Sequence, residues 1–207
     1  MNLYDRYVLP RLIDWSCGLP RVTSERRKVV PLAQGRVLDV GIGSGRNLPL
    51  YDPQRVTALV GIDPSAELLA TTRERTRGLP FPVELVAERA ETTQLRSGSF
   101  DTVVLTYTLC SIPEAARALE QIRRVLKPEG RLLFCEHGAA PDPSVRRWQE
   151  RLAPAWKRLA GGCDLVRDAP ALLCAAGFQI DRLDTHYLAH TPRLLGYHSI
   201  GIAHAMR

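Results

Sequence analysis

The sequence predicts an α/β fold in which helices cover both faces of a mostly parallel sheet. Strand-like and helix-like segments alternate along the chain, which is the pattern of such sheets. The segment VLDVGIGSG at 37–45 places a buried strand directly before three alternate glycines, Gly41, Gly43 and Gly45. A second apolar, β-branched run at 56–62 ends at Asp63. Doubly wound folds bind nucleotides with a glycine-rich loop that follows a parallel strand and opens a helix.

Hydrophobic periodicity and the positions of Gly and Pro predict the individual elements. Helices are expected at 23–33, 45–51, 64–77, 113–126, 144–160 and 168–176, and strands at 36–41, 56–62, 83–87, 100–106, 131–136, 178–187 and 197–205. No internal repeat, low-complexity tract or linker divides the chain. A single domain over residues 1–207 is therefore predicted.

The details of the glycine loop distinguish between nucleotide cofactors. A dinucleotide fingerprint has its third glycine where this chain has Arg46. Asp39 places a carboxylate near the floor of the loop, where a cofactor with an ammonium group is favoured over a pyrophosphate. S-Adenosylmethionine carries an ammonium group and no phosphate, so the loop predicts this cofactor. Asp63 is expected to accept hydrogen bonds from both ribose hydroxyls, or alternatively to cap the helix that follows at Pro64.

Composition and charge argue against several other classes. The chain has 207 residues, of which 45% are hydrophobic and 24% charged, as in an ordinary globular domain. Its five cysteines show no Cys-x-x-Cys spacing and no acidic cluster suits magnesium, so neither a disulfide framework nor a metal site is predicted. The net charge of +6 comes largely from dispersed arginines, with clusters at 26–28 and 146–147. These clusters are interpreted as solvated faces, and no nucleic-acid partner is expected.

The N-terminal sequence and the hydropathy of the chain bear on localisation. The start, MNLYDRYVLP, lacks the basic cap and apolar run of a signal peptide. No window has the run of apolar residues that a membrane-spanning helix needs. A cytoplasmic protein with at most peripheral membrane contact is expected, and the oligomeric state is left open.

Four sequence blocks resemble those of class I S-adenosylmethionine-dependent methyltransferases. They are the glycine loop, GIDPS at 61–65, GSFDTVVLTYTLCSIP at 98–113 and VLKPEGRLLFCEHG at 125–138. The resemblance implies a Rossmann-like sheet of seven strands, with the last strand, at 197–205, antiparallel. A narrower resemblance, to the methyltransferase-like seven group, comes from LCSIP at 109–113, EHGAA at 136–140 and GGCDLVRD at 161–168. Animal members of that group are thiol S-methyltransferases with an apolar N-terminal membrane anchor, whereas this chain has YDRYVLPRLIDWSCG, at 4–18, in that place.

The resemblance also suggests how individual residues would hold the cofactor. Gly41 and Gly43 would offer backbone groups to its methionine portion, and the carbonyl of Thr106 would hold the ammonium group. Asn47 would reach the carboxylate or serve only as a helix-forming residue. The predicted cofactor-binding set is Asp39, Gly41, Gly43, Gly45, Asn47, Asp63, Pro64, Ala90, Glu91 and Thr106, with Ala90 and Glu91 at the adenine edge.

The methyl acceptor is expected at the carboxyl ends of the fourth and fifth strands. Tyr107, Cys110 and His137 follow these strands and are the candidate catalytic residues. Cys110 is alternatively a small buried hydrophobe, and His137 either acts as a base or makes a structural hydrogen bond. A thiol near pKa 8.5 is partly ionised at neutral pH and needs no dedicated base. Methyl transfer to sulfur of a small apolar thiol is the first hypothesis; N- or O-methylation of a lipid head group or quinone-type metabolite, and cofactor binding without catalysis, are the alternatives.

Two segments, 1–22 and 139–165, are expected to close the site as lids. Tyr4, Tyr7, Leu12 and Trp15 have near-helical spacing in the first segment. In the second, one helical face carries Trp148, Leu152, Trp156 and Leu159, and Pro154 is expected to break the helix. Packing of this face over the sheet edge is the first interpretation, followed by a substrate lid and by a basic amphipathic helix on a membrane.

Overall fold

Seven strands form one sheet, as the sequence and the resemblance predict. The computed structural model describes residues 9–206, without the side chains of residues 10 and 11, so Tyr4 and Tyr7 lie outside the described residues. The strands are β1 Gly35–Val40, β2 Val56–Ile62, β3 Val83–Val86, β4 Phe100–Thr106, β5 Leu126–His137, β6 Phe178–Tyr187 and β7 Tyr197–Ala205. Their order in the sheet is β3-β2-β1-β4-β5-β7-β6. Among the strands of residues 9–206, β7 alone runs against the direction of the others, pairing antiparallel with both β5 and β6, which confirms the expectation for the last strand.

Helices cover the two faces of this sheet. They are α1 Leu9–Cys17, α2 Pro20–Arg26, α3 Ala66–Arg75, α4 Ala115–Val125, α5 Pro143–Leu159, α6 Ala169–Ala175 and α7 Arg193–Gly196. Successive residues of a strand point to opposite faces. Leu38 and Val103 thus join one buried cluster with Leu119 of α4, whereas Val37 and Val104 join a second cluster on the opposite face.

The order of the strands places the functional crevice. β1 lies between β2 and β4, so the chain leaves the centre of the sheet in opposite directions from this point. Ligands of open α/β sheets bind at the carboxyl ends of the strands at such a switch point. The loops after β1, β2 and β4 therefore surround the expected cofactor site.

Several predicted boundaries are wrong. The helix expected at 45–51 is only a 3₁₀ turn, Leu48–Leu50, because Pro49 has no N–H to donate to a longer helix. The helix expected at 23–33 ends at Arg26 and is followed by a 3₁₀ turn that contains Pro31. β5 starts five residues before the predicted strand because Leu126 already pairs with Phe100 of β4.

Helix α5 differs from two expectations for the 139–165 segment, namely that Pro154 breaks the helix and that its apolar face packs over the sheet edge. It runs unbroken through Pro154; this residue is exposed, so water can bind the carbonyl group that the proline leaves without a helical donor. Trp148, Leu152 and Leu159 are 55%, 41% and 61% exposed, so most of this face does not pack over the sheet edge, whereas Trp156 is half-buried. Buried Gln149 holds the helix instead, since its side chain accepts from the N–H of Ala140 and donates to two backbone carbonyls.

The lengths and compositions of the helices bear on a membrane-spanning role. Among residues 9–206, no helix combines the length and the apolar character that crossing a bilayer requires.

Candidate active site

The glycine loop turns tightly between β1 and the end of β2. Gly41 has φ +65° and faces Thr108, whose side chain occupies the space that a Cβ would need. Gly43 has φ +54°, and its N–H donates to the Asp63 carboxylate at 3.0 Å. Gly45 packs against Leu48 and is absent from the cavity wall. Gly45 therefore shapes the turn, whereas Gly41 and Gly43 expose backbone to the cavity.

Asp63 stands at the end of β2 as predicted, but it does not cap α3. Its two carboxylate oxygens accept from the N–H groups of Gly43, at 3.0 Å, and Ser65, at 2.8 Å. Ser65 is the N-cap residue, since its hydroxyl accepts from the N–H of Leu68. Burial raises the pKa of Asp63, and the two backbone hydrogen bonds oppose this effect. The capping alternative is therefore wrong, and Asp63 itself lines the cavity.

Asp39 lies fully buried beneath the cavity rather than in its wall. Asn47 Nδ2 donates to both of its oxygens at 3.0 and 3.1 Å, and the Tyr51 hydroxyl donates at 2.9 Å. Asn47 also lies 3.0 Å from the Thr106 hydroxyl, and both of these residues line the cavity. Burial raises the pKa of Asp39 to about 6, although the hydrogen bonds from Asn47 and Tyr51 oppose this rise. Asp39 can thus influence a bound ammonium group through its charge and through Asn47, without direct contact.

Replacing Asp39 with Asn is expected to stabilise the cofactor-free protein at neutral pH. Because the folded-state pKa of Asp39 is raised, its contribution to stability is full below the unfolded pKa near 3.8 and is lost as the pH rises through about 6. This loss amounts to at most about 3 kcal/mol. We expect Asp39→Asn to gain stability relative to the parent between pH 4.5 and 7.5, measured by urea unfolding, and to bind the cofactor more weakly. If Asp39→Asn is less stable than the parent by the same amount at pH 4.5 and at pH 7.5, this account is contradicted.

A cavity of about 470 Å³ opens at the ends of β1, β2 and β4. One half is lined by the glycine loop, Asp63, Pro64, Ala90 and Glu91, the last two in a 3₁₀ turn after β3. Arg46 also lines it, but its guanidinium is paired with Asp14 of α1, at 2.8 Å from Nε to Oδ1, and is not free for a phosphate. The backbone cradle and the carboxylate beside it fit S-adenosylmethionine.

Helix α1 is fastened to the glycine loop. Asp14 accepts hydrogen bonds from the Ser44 hydroxyl and from Arg46, and Arg75 of α3 lies 3.8 Å from the same carboxylate. These contacts hold the pKa of Asp14 below its usual range against the opposing effect of burial. Ile13 and Cys17 of α1 thereby form part of the cavity wall. This placement is consistent with the lid role proposed for the N-terminal segment.

A buried cation lines the other half of the cavity. Arg26, at the end of α2, is 4% exposed; it donates to the carbonyl of Cys17 at 2.6 Å and lies 4.7 Å from the ring centroid of Tyr107. Its Nε has no hydrogen-bond partner, and no carboxylate among the described residues lies within ion-pair distance of it. The sequence interpretation of 26–28 as a solvated face is therefore wrong for Arg26. No local pattern marks it, because its partners, Cys17 and Tyr107, are brought to it by the fold.

Tyr107 is held in an uncommon backbone conformation directly after β4. Its φ is +54°, which is rare for a residue with a side chain and is found where the surroundings impose it. Its ring stacks on His137, with centroids 6.2 Å apart. Burial raises the pKa of the phenol well above its usual value, so Tyr107 is neutral at physiological pH.

Cys110 and His137 lie behind the cavity wall and meet a third residue, Cys163. Cys163 Sγ is 3.3 Å from His137 Nε2, and the three ligand atoms lie within 4.8 Å of one another. The hydrogen bond from Cys110 and the hydrogen bond and charge of His137 lower the pKa of Cys163. Burial opposes the charged form of His137, but its interaction with Cys163 outweighs this and raises the imidazole pKa. Sequence reasoning missed Cys163 because its partners lie 26 and 53 positions earlier in the chain.

Comparisons with known proteins agree with the observed fold and with the glycine loop as a cofactor-binding element. A family model described as a methyltransferase domain matches residues 38–134. Over 140 residues the chain is 38% identical to the thiol S-methyltransferase TMT1B of Homo sapiens, which covers 66% of this chain and 57% of that protein. Over 146 residues it is 35% identical to a phosphatidylethanolamine N-methyltransferase of Cereibacter sphaeroides, which covers 69% of this chain and 71% of that protein.

A solved S-adenosylmethionine-dependent methyltransferase from Thermotoga maritima has the same fold. It superposes with a TM-score of 0.69 at 19% identity, over 99% of this chain and 98% of that one. The chain spans less than two thirds of the length of the thiol S-methyltransferases that it matches. The glycine cradle, the strand order and these relatives together place the chain in the class I S-adenosylmethionine-dependent methyltransferases, with S-adenosylmethionine as its cofactor.

Proposed function

We propose that the protein is a small-molecule methyltransferase that transfers a methyl group to the sulfur atom of a small, partly apolar thiol. The observation that carries this proposal is Arg26, a buried cation in the cavity wall without a carboxylate partner. A buried charge is costly unless an opposite charge or hydrogen bonds compensate it. A bound thiolate supplies that opposite charge.

The guanidinium also makes the thiolate easier to form. An opposite charge within a few ångströms lowers the pKa of a bound acid, and a thiol begins near 8.5. Arg26 would therefore increase the ionised fraction of the acceptor at neutral pH. Neutral Tyr107, against which Arg26 lies, would not compete for the cation.

The surroundings of Arg26 suit an acceptor with an apolar part. The same cavity is lined by Ile13 of α1, by Ile112 and Pro113 of the loop after β4, and by Gly161 and Gly162 after α5. Burial of an apolar group against such side chains contributes roughly 25 cal/mol per Å². The predicted lid segments, 1–22 and 139–165, both contribute to this wall.

The mechanism needs alignment more than acid–base chemistry. S-Adenosylmethionine, when bound, supplies an activated methyl group on a positively charged sulfur. Asp63 and the glycine loop would fix the cofactor, Asn47 and Thr106 would hold its amino-acid end, and Arg26 would hold the thiolate in line. Such positioning is worth up to roughly 7–11 kcal/mol of the barrier. On this account His137 and Cys110 are positioning residues rather than bases.

The test is transfer of a labelled methyl group by the purified protein to panels of thiols, amines, phenols and phospholipids. We expect turnover with apolar thiols and little with primary amines, because an ammonium group would meet Arg26. Efficient methylation of phosphatidylethanolamine, the substrate named for the Cereibacter relative, or of a phenol would overturn the sulfur assignment. Tight cofactor binding without transfer to any acceptor would favour a non-catalytic protein.

A further inference from the structure

Three soft ligand atoms converge behind the wall of the cavity. Cys110 lies in the loop after β4, His137 is the last residue of β5, and Cys163 lies in the loop after α5. Their Sγ, Nε2 and Sγ atoms lie within 4.8 Å of one another, with 3.3 Å between Cys163 and His137. The three segments come from distant parts of the chain, so the cluster is a product of the fold.

The donor set is the one that thiophilic cations prefer. Two cysteines and a histidine bind Zn²⁺ in many proteins, with Zn–S near 2.3 Å and Zn–N near 2.0–2.1 Å. Ligand atoms around a tetrahedral Zn²⁺ are then roughly 3.5–3.8 Å apart. The spacing here reaches this range with small side-chain rotations. Three protein ligands leave one coordination position open.

A buried carboxyl group with one unpartnered oxygen lies beside this cluster. Glu136, the neighbour of His137, is 1% exposed, and its Oε1 accepts from the N–H groups of Thr108 and Leu109. Its Oε2 is buried without a hydrogen-bond partner. A carboxylate beside a metal centre stabilises the bound cation through its charge.

We propose that Cys110, His137 and Cys163 form a binding site for one thiophilic cation, with Zn²⁺ as the representative ion. This proposal departs from the absence of a metal site that the sequence predicts, because cysteine spacing reveals only ligands that are close in the chain. A bound ion would tie the loop after α5 to the ends of β4 and β5. It would thereby fix Gly161 and Gly162, which line the acceptor half of the cavity.

The proposal is tested on the reduced full-length protein with Cd²⁺ and Zn²⁺ as probes. We expect one equivalent of Cd²⁺ to produce the ultraviolet thiolate-to-metal absorption band, and Zn²⁺ to abolish it by competition. Cys163→Ser should weaken Cd²⁺ binding at least about 100-fold, beyond the effect typical of losing a residue that only supports a metal ligand. The matched control is Cys174→Ser, at an exposed cysteine of α6, which should bind as the parent does.

A second measurement does not depend on how the variants fold. In the unmodified protein, Zn²⁺ should slow alkylation of Cys163 by iodoacetamide while leaving Cys174 unaffected, as read by mass spectrometry. Absence of the band, equal Cd²⁺ affinity in Cys163→Ser, or alkylation of Cys163 that ignores Zn²⁺ would each overturn the proposal. Formation of a Cys110–Cys163 disulfide by a protein whose reduced form binds no metal would assign the pair to redox chemistry instead.

Discussion

Asp63→Ala is expected to weaken S-adenosylmethionine binding by about 2–3 kcal/mol, roughly 30- to 150-fold. The substitution removes the carboxylate proposed to accept from both ribose hydroxyls. It also leaves the N–H groups of Gly43 and Ser65 without their present acceptor, which loosens the glycine loop. Titration calorimetry of the parent should give a dissociation constant in the micromolar range, about −8 kcal/mol.

The matched control for this change is Glu84→Ala. Glu84 is an exposed carboxylate of the adjacent strand β3 and does not line the cavity. Its replacement removes the same negative charge and should leave cofactor affinity unchanged. Unchanged affinity in Asp63→Ala, or preferential binding of a nicotinamide dinucleotide by the parent, would contradict the proposed role of Asp63.

Arg26→Met is expected to lower kcat/KM for a thiol acceptor at pH 7. The corresponding loss of transition-state stabilisation is about 2–3 kcal/mol, the scale of a hydrogen bond to a charged group. Without the guanidinium, the pKa of the bound thiol returns toward its value in water. The rising limb of the pH–rate profile should then move upward by one pH unit or more. Cofactor affinity should change by no more than a few fold.

Arg27→Met serves as the control, because Arg27 is exposed and adjacent in the chain. It removes the same charge and should leave the pH–rate profile in place. If Arg26→Met instead weakens cofactor binding and leaves the KM for the thiol unchanged, Arg26 holds the cofactor carboxylate and not the acceptor. The acceptor proposal would then lose its principal support.

The cofactor half of the site is predictable from the sequence because its determinants are local. An apolar strand, a glycine loop and an acidic residue after the next strand occupy 27 consecutive positions, 37–63. The chain order alone brings them together at the switch point of the sheet. The exception is Asp39, which the pattern places at the loop floor but which the fold buries under Asn47 and Tyr51.

The acceptor half is not predictable in this way. Arg26 belongs to a run of three basic residues, and it is buried over the Tyr107 ring after β4 whereas Arg27 and Lys28 are exposed. Cys163 becomes notable only when the fold brings it to Cys110 and His137. Helix α5 shows a further limit, since its apolar stripe suggests burial whereas a single polar residue, Gln149, anchors it.

The most direct test of the central claim is to identify the atom that receives the methyl group. S-Adenosylmethionine labelled with ¹³C in the methyl group is incubated with the protein and an aromatic aminothiol, which offers both sulfur and a nitrogen that is uncharged at neutral pH. Methyl carbons bound to sulfur and to nitrogen have distinct ¹³C chemical shifts. The account predicts that the label appears on sulfur; a label found on nitrogen while the sulfur stays unmodified would contradict it.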